Sequence, residues 1–130
     1  MGSTVNGTLQ TYSYEFGYAD LLTTTFGAQG AIELHDILPE GWEVYDVDVE
    51  TTTSFNGSGA RTLDIGPSGN GDGIIDGLDV KAAGIKSPTV VRYRSTASTQ
   101  LVLNLITGTD NPTAGAIRVT LILMHVAKEA

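Results

Sequence analysis

Alternation of apolar and polar residues over short segments limits the fold of this chain more than any other feature of the sequence. The clearest segment runs from Trp42 to Thr53. Its alternation predicts Tyr45, Val47 and Val49 on one face and Asp46, Asp48 and Glu50 on the other. Successive side chains point to opposite faces only in an extended chain, so the pattern predicts a strand with one buried and one solvated face.

Other segments repeat this pattern. The segment from Thr8 to Phe16 collects its aromatic residues on one face, and the segment from Ala116 to Val126 is long and strongly apolar. The remaining predicted strands are Ala31–Leu38, Arg61–Gly66, Thr89–Ser95 and Thr99–Thr107. Between them we predict turns at Pro39–Gly41 and near Tyr18–Leu22, one helical turn over Leu78–Ala83, and a hairpin loop over Gly108–Gly115.

Size and composition agree with a single all-β domain. A chain of 130 residues has room for one core, and its 16 glycines supply the turn positions that short strands need. It contains no cysteine, so disulfides and zinc–thiolate sites are excluded. We therefore predict an all-β antiparallel β-sandwich, jelly-roll-like, with seven or eight strands and minimal helix. Residues 11–130 would form the domain, and residues 1–10 would form an N-terminal arm.

Charge is unevenly distributed along the chain. The net charge is −8, and residues 1–60 contain nine carboxylates but no Lys or Arg. Such a surface cannot displace counterions from phosphate, so we expect no nucleic-acid partner. The acidity fits either a solvated face or a surface complementary to a basic partner. No apolar run is long enough to span a bilayer, and no secretory signal precedes the first strand, so we expect no membrane partner.

One glycine-rich stretch resembles a calcium-binding loop. Its candidate ligands are Asn70, Asp72, Asp76 and Asp79, with Gly73 at the turn position. Ser68 stands where a carboxylate normally binds the ion, and Pro67 opposes an entering helix. Because Asn, Asp and Gly are also the usual residues of tight surface turns, we expect these four residues to shape a connection without an obligatory metal.

The sequence offers no set of catalytic residues. His35 and Asp36 are neighbours on a predicted strand and would point to opposite faces, so they cannot form a dyad. His35 and His125 are therefore interpreted as structural, and no nucleophile or phosphate-loop motif is found. We expect no enzymatic activity and no cofactor. Trp42 and the five tyrosines could line a sugar site or serve as core or interface anchors.

The order of features over residues 40–125 resembles that of small β-sandwich virion proteins of tailed bacteriophages. The matching phrases are Asp46–Thr52, Thr62–Gly66, Ile75–Gly84, Gln100–Leu105 and Ala114–Leu121, of which Ile75–Gly84 is the most specific. The resemblance implies a sandwich used in capsid decoration (cement) proteins or in fibre-type structural proteins.

The resemblance implies that the protein works by assembling with other virion proteins. The leading hypothesis is a capsid decoration protein that binds the outer surface of the major capsid shell, is made in the host cytoplasm, and acts as a homotrimer. A tail-fibre or host-binding module is the first alternative, and a dockerin-like or carbohydrate-binding calcium module is the second. The partners expected on the leading hypothesis are the major capsid protein and further copies of this chain.

Overall fold

A computed structural model of the chain describes residues 8–22 and 31–125. The described residues form nine strands and one helical turn, α1 (Tyr18–Leu21). The strands are β1 (Thr8–Gly17), β2 (Ile32–Glu33), β3 (Trp42–Thr53), β4 (Thr62–Pro67), β5 (Ile75–Asp79), β6 (Gly84–Lys86), β7 (Tyr93–Arg94), β8 (Leu101–Ile106) and β9 (Ala116–His125). Nothing in this part of the chain is a helix long and apolar enough to cross a bilayer.

The strands form two sheets, and every pairing between strands is antiparallel. Sheet 1 has the order β1-β9-β3-β6, with β7 pairing on β3 beside β6, and sheet 2 has the order β2-β8-β4-β5. The predicted all-β antiparallel sandwich is therefore confirmed, with nine strands in place of seven or eight. Residues 1–7 of the predicted N-terminal arm lie outside the described residues, and residues 8–10 form the start of β1.

The core lies between the two sheets and is built by the alternation seen in the sequence. On β9, Ile117, Val119, Leu121 and Leu123 are buried, while the residues between them are partly exposed. On β8, Leu101, Leu103 and Leu105 face them from sheet 2. Burying these aliphatic side chains supplies the main favourable term in folding. The aromatic face predicted for β1 is also confirmed, since Tyr12, Tyr14 and Phe16 pack against this core.

The predicted face of Tyr45 is wrong. The register of β3 against β9 shifts between Val44 and Asp46, which marks a β-bulge. The bulge places Val44 in the core, fully buried, and turns Tyr45 outward to 37% exposure. A bulge adds one residue to a strand, so the alternation of inward and outward side chains is inverted on one side of the bulge. No local sequence pattern predicts this bulge. Val47 and Val49 remain buried as predicted.

Four local predictions are corrected by the structure. Gly108–Gly115 is not a hairpin loop, because β8 belongs to sheet 2 and β9 to sheet 1. Leu78–Ala83 is not helical: its first two residues end β5, which pairs with β4. Ala31–Leu38 and Thr89–Ser95 contain only the two-residue strands β2 and β7. Trp42–Thr53 matches β3 at both ends, and the last predicted residue of Ala116–Val126 lies outside the described residues.

Candidate binding surfaces

The outer face of sheet 1 is built on the three longest strands of the described chain. Its side chains come from β1, β9 and β3 and form cross-strand rows set by the register. In one row, the hydroxyl oxygens of Ser13 and Thr120 lie 2.9 Å apart in a hydrogen bond, and Asp48 is the next residue across. Cross-strand pairs of this kind stabilise sheets, so this face is polar and well ordered.

A second row on this face carries charge. Arg118 lies between two carboxylates, with Nη2 3.3 Å from Glu15 Oε2 and Nη1 3.0 Å from Glu50 Oε1. The acidic face predicted for β3 therefore exists, and Arg118 offsets part of its charge. Asp46 accepts a hydrogen bond from the Val47 N–H at 2.9 Å, and Asp48 is exposed without an ion pair in the described chain. Because one arginine is shared by two carboxylates and Asp48 lies beside them, the middle of this face stays negative.

The side of the sandwich formed by β1 and β2 is acidic; we call it the acidic side. The two strands are joined there by His35, whose Nδ1 is hydrogen-bonded to the Tyr14 hydroxyl and whose ring centroid lies 4.7 Å from that of Tyr12. Glu33 and Asp36 are exposed on this side, and the residues around them from 31 to 38 contain no Lys or Arg. Two large apolar residues, Leu9 and Ile37, are 51% and 60% exposed.

The opposite side, formed by β5, β6 and β7, carries charges of both signs, because β5 contributes the exposed Asp76 and Asp79 and the residues after it contribute cations. We call residues 80–109 the basic segment. Residues 80–109 contain Lys81, Lys86, Arg92 and Arg94 but no Asp or Glu. Arg92 pairs with Glu43 of β3 at 3.5 Å and lies over the Tyr45 ring at 4.3 Å, whereas Lys81 and Arg94 have no ion pair within the described residues. Ile85 and Val91 are exposed here, at 83% and 58%.

The sequence analysis missed the basic segment. It counted residues 61–130 together, where six acids offset seven bases and hide the local excess. A shorter window would have found it, because the stretch from 80 to 109 is free of carboxylates. Its position opposite the acidic side could not be found in that way, since it depends on β6 and β7 both pairing with β3.

A loop cluster closes one end of the sandwich, made from residues 55–61 and 107–115. Its centre is Arg61, whose side chain is fully buried. The Arg61 guanidinium donates to the carbonyl oxygens of Thr107, Asp110 and Asn56, and Nη1 lies 3.0 Å from Asp110 Oδ1. The hydrogen bond from Arg61 lowers the pKa of the Asp110 carboxyl, which also accepts from the Gly59 N–H at 2.7 Å. A buried charge with this many acceptors is well compensated.

The same loops are joined at two further points. Asn56 accepts hydrogen bonds from the N–H groups of Thr113 and Ala114 at 2.8 and 3.1 Å. Phe55 is buried against Gly115, where an added Cβ would lie 2.1 Å from the ring. Side chains on this end are therefore held by a dense hydrogen-bond network on a sheet scaffold, which is how rigid binding loops are built.

The predicted structural role of His35 fits its surroundings. Besides its contacts with Tyr12 and Tyr14, its carbonyl oxygen accepts a hydrogen bond from the Gln100 side chain. Burial lowers the pKa of His35, and the nearby carboxylates of Asp36 and Glu33 oppose that shift. Burial has the opposite effect on Tyr14 and raises its pKa. His125 is adjacent to Trp42, with ring centroids 5.0 Å apart.

Most aromatic candidates for a sugar site are committed to packing. Tyr12, Tyr14, Tyr18, Trp42 and Tyr93 are partly buried against the core, and Phe55 belongs to the core itself. Tyr45 is turned outward by the bulge, and its ring is covered by Arg92. The aromatic side chains named here therefore act mainly as packing anchors.

The four calcium candidates lie on different elements. Asn70 is in a turn, where its carbonyl oxygen accepts from the Gly73 N–H at 2.9 Å, and Asp72 follows it, exposed. Asp76 and Asp79 lie on β5, and Asp79 Oδ1 accepts a hydrogen bond from the Lys81 N–H at 3.0 Å. β5 is a strand, whereas an EF-hand loop leads into a helix. Nowhere in residues 8–22 and 31–125 do three or more His, Cys, Asp or Glu side chains form a metal-binding group.

Asp64 of β4 lies close to these residues and accepts a hydrogen bond from the Gly77 N–H at 2.8 Å. Burial raises the pKa of Asp64, the hydrogen bond from Gly77 opposes this shift, and the nearby Asp76 and Asp72 raise the pKa further.

Comparison with solved structures gives two matches to phage capsid structures. A chain in the structure of the cyanophage Pam1 capsid asymmetric unit matches with a TM-score of 0.62 at 18% identity, covering 96% of this chain and 89% of that one. A chain in the acidic stable capsid structure of Helicobacter pylori bacteriophage KHP30 matches with a TM-score of 0.67 at 16% identity, covering 98% of both chains. No family model and no curated protein matches the sequence. The two-sheet sandwich described here is thus a fold that occurs, over nearly its whole length, among the chains of phage capsids.

Proposed function

We propose that the chain is a non-enzymatic virion protein of a tailed phage that decorates the outer surface of the major capsid shell and stabilises it. The observation that carries the proposal is the fold, which is shared almost end to end with chains in two phage capsid structures. A chain that matches over its full length has the size and topology of those chains, so the whole molecule is available for the same kind of role. Its partners are the major capsid protein and its own copies, in a homotrimer.

The loop cluster supports a binding role. The loop cluster presents ordered backbone at one end of a rigid sandwich, and Arg61 and Asn56 hold it in one arrangement. Preorganised loops lose little conformational entropy on docking, so small contacts repeated over a shell can give tight binding. We expect apolar and strand-edge contacts to supply most of the affinity, with the charged sides setting orientation.

The test uses shells of the encoding phage prepared without this protein. Purified protein added to expanded shells should co-sediment with them, saturate at a fixed ratio, and raise their temperature of disruption. Shells that already carry the protein are the control, and they should bind no further protein. Failure to bind shells, together with labelling of the tail by antibodies against the protein, would contradict the proposal and favour a fibre-type role.

The homotrimer is tested separately from binding to the shell. A density map of decorated shells should show three copies around threefold or local threefold positions. Isolated single copies away from these positions would contradict the trimer while leaving decoration intact.

A further inference from the structure

We infer that the side-chain amide of Asn70 is a site of spontaneous deamidation, at which water converts the residue to aspartate or isoaspartate. Asn70 is exposed in the turn between β4 and β5. The inference goes beyond the proposed function and does not depend on it, because it follows from the chemistry and hydrogen bonding of this turn. Older copies of the protein would carry an additional negative charge there.

The reaction uses groups of the chain itself and water. The Gly71 nitrogen gives up its proton to solvent and attacks Cγ of Asn70, so that a new N–Cγ bond forms. The Cγ–Nδ2 bond then breaks, and Nδ2 takes up a proton from water and leaves as ammonia. Water adds to the resulting cyclic imide, and opening at either of its carbonyls leaves aspartate or isoaspartate. The net change consumes water and releases ammonia, without oxidation or reduction.

A glycine after the asparagine favours this attack. Glycine has no Cβ to hinder the approach of the side-chain carbonyl to the backbone nitrogen, and its backbone adopts the required conformation readily. The sequence contains Asn-Gly at positions 6, 56 and 70. The first of these lies outside the described residues, so the structure compares the dipeptides at Asn56 and Asn70.

Both reacting groups are free at Asn70. Among residues 8–22 and 31–125, the Asn70 side chain has no hydrogen-bond partner, and the Gly71 N–H has no acceptor. The backbone of Asn70 is held, because its N–H donates to the Pro67 carbonyl at 2.8 Å and its carbonyl accepts from the Gly73 N–H at 2.9 Å. A Cβ added to Gly73 would lie 2.6 Å from Asn70 Nδ2, so the amide lies over the turn that contains the attacking nitrogen.

The same dipeptide is protected at Asn56. Asn56 Oδ1 accepts from the N–H groups of Thr113 and Ala114 at 2.8 and 3.1 Å, and Nδ2 donates to Thr113 Oγ1 at 2.8 Å. These bonds must break before the amide can rotate towards the Gly57 nitrogen, which adds to the barrier. Asn56 therefore serves as an internal control with the same pair of residues.

Two Asp-Gly dipeptides could form the same imide, but their glycine nitrogens are engaged. The Gly73 N–H donates to the Asn70 carbonyl at 2.9 Å, and the Gly77 N–H donates to Asp64 Oδ1 at 2.8 Å. Each nitrogen must give up its hydrogen bond before it can attack. A carboxylate is also the poorer substrate, because it would have to lose an oxygen in place of ammonia. Among these dipeptides of the described chain, Asn70–Gly71 is thus the favoured site.

Peptide mapping by mass spectrometry tests the inference on the purified full chain, sampled during incubation at mildly alkaline pH. Cleavage after Glu, Lys and Arg places Asn6, Asn56 and Asn70 on separate peptides. The peptide with Asn70 should gain the mass difference between a hydroxyl and an amide group and separate into two products of equal mass. The peptide with Asn56 should convert at least about tenfold more slowly, and in urea the two rates should become similar.

Gly71→Ala tests the role of the glycine without disturbing the fold. The added Cβ would meet only Val102 Cγ2, at 3.8 Å, and should slow conversion at Asn70 by about tenfold or more. Ser68→Ala is the matched control, because it changes an exposed residue of the same turn and leaves the dipeptide intact. This control should convert at the rate of the unsubstituted chain.

Three results would overturn the inference. They are an intact amide at Asn70 after conversion is complete in urea, equal rates at Asn56 and Asn70 in the folded chain, and conversion in the Gly71→Ala variant at the unsubstituted rate. Circular dichroism spectra and melting temperatures establish the native fold of each variant before rates are compared.

Discussion

Arg61 places a guanidinium at a depth where charged groups are seldom found without partners. Its side chain is fully buried, and its donors reach four carbonyl oxygens and one carboxylate on two different loops. Alternation puts Arg61 in phase with the buried Leu63 and Ile65 of β4, but it does not identify the acceptors that compensate the charge. Its role follows from tertiary contacts that bring residues 107–110 next to it.

We expect Arg61→Met to destabilise the protein by about 3 kcal/mol, because it leaves several buried acceptors without a donor. Urea unfolding followed by tryptophan fluorescence at Trp42 measures the change. Arg118→Met is the matched control: Arg118 is partly exposed and its pairs with Glu15 and Glu50 lie at the surface, so the cost should stay below about 1 kcal/mol. Equal costs for the two substitutions would mean that the loop cluster contributes little.

His35 should give the protein a pH dependence above the range of the carboxylates. Burial lowers its pKa below the ordinary 6.5, so the unfolded chain binds the proton more readily than the folded one. Stability is then fully present above pH 6.5 and decreases as the pH falls through that value towards the folded pKa. We expect the melting temperature to fall between about pH 7 and pH 5, and His35→Gln to reduce that fall.

Tyr14→Phe separates the causes of this shift. It removes the hydrogen bond to His35 Nδ1 but keeps the ring that buries the imidazole. Because burial is the largest cause of the shift, most of the pH dependence should persist in this variant. Its complete loss would assign the effect to the hydrogen bond instead.

At the scale of elements, the turn that follows β4 folds back over that strand. A Cβ added to Gly66 would lie 2.2 Å from the Asn70 carbonyl oxygen and 2.7 Å from the Gly73 nitrogen, both backbone atoms. We expect Gly66→Ala to destabilise the protein by about 2 kcal/mol, since the turn must move away. At Gly71 the added Cβ would meet only Val102 Cγ2, at 3.8 Å, so Gly71→Ala should change stability by less than about 0.5 kcal/mol.

The same turn carries two of the calcium candidates, and the sequence-based expectation of no obligatory metal stays a prediction. We expect the melting temperature to be the same in excess calcium and in chelator. A rise of many degrees in calcium that Asp72→Ala abolishes would overturn this expectation, because a ligand that binds only the native state stabilises it by mass action.

The sequence predicted best those elements whose structure follows from local alternation. β3, β1 and β9 match closely, because each has one face against the core along most of its length. β2 and β7 were predicted too long, since only two residues of each pair with a neighbouring strand. The Tyr45 bulge and β6 were missed because both are set by pairing with β9 and β3, which lie far away in sequence.

At the scale of the whole molecule, the sequence indicated the class of fold and the excess of acidic residues. It did not indicate where those residues lie in the fold. The nine carboxylates of residues 1–60 are spread over several parts of the structure, including the outer face of sheet 1, where Arg118 lies between two of them, the acidic side, and β3 beside Arg92, which pairs with Glu43. The position of the basic segment relative to the acidic side emerges only when both sheets are assembled.

If the proposed homotrimer forms in solution, stability must depend on protein concentration. We expect the melting temperature to rise with concentration, because association stabilises the folded state. Differential scanning fluorimetry over a hundredfold range of concentration, about 3 kcal/mol in the mass-action term, is sufficient to detect it.

The place of β9 has a consequence for how the chain is made. β9 is the last described strand, yet it lies between β1 and β3 in sheet 1 and pairs with both. On the ribosome, β6 and β7 can pair with β3 soon after they emerge, but β1 has no neighbour in sheet 1 until residues 116–125 follow. Sheet 1 is therefore completed late, only when β9 has left the exit tunnel and can insert between two strands made long before it.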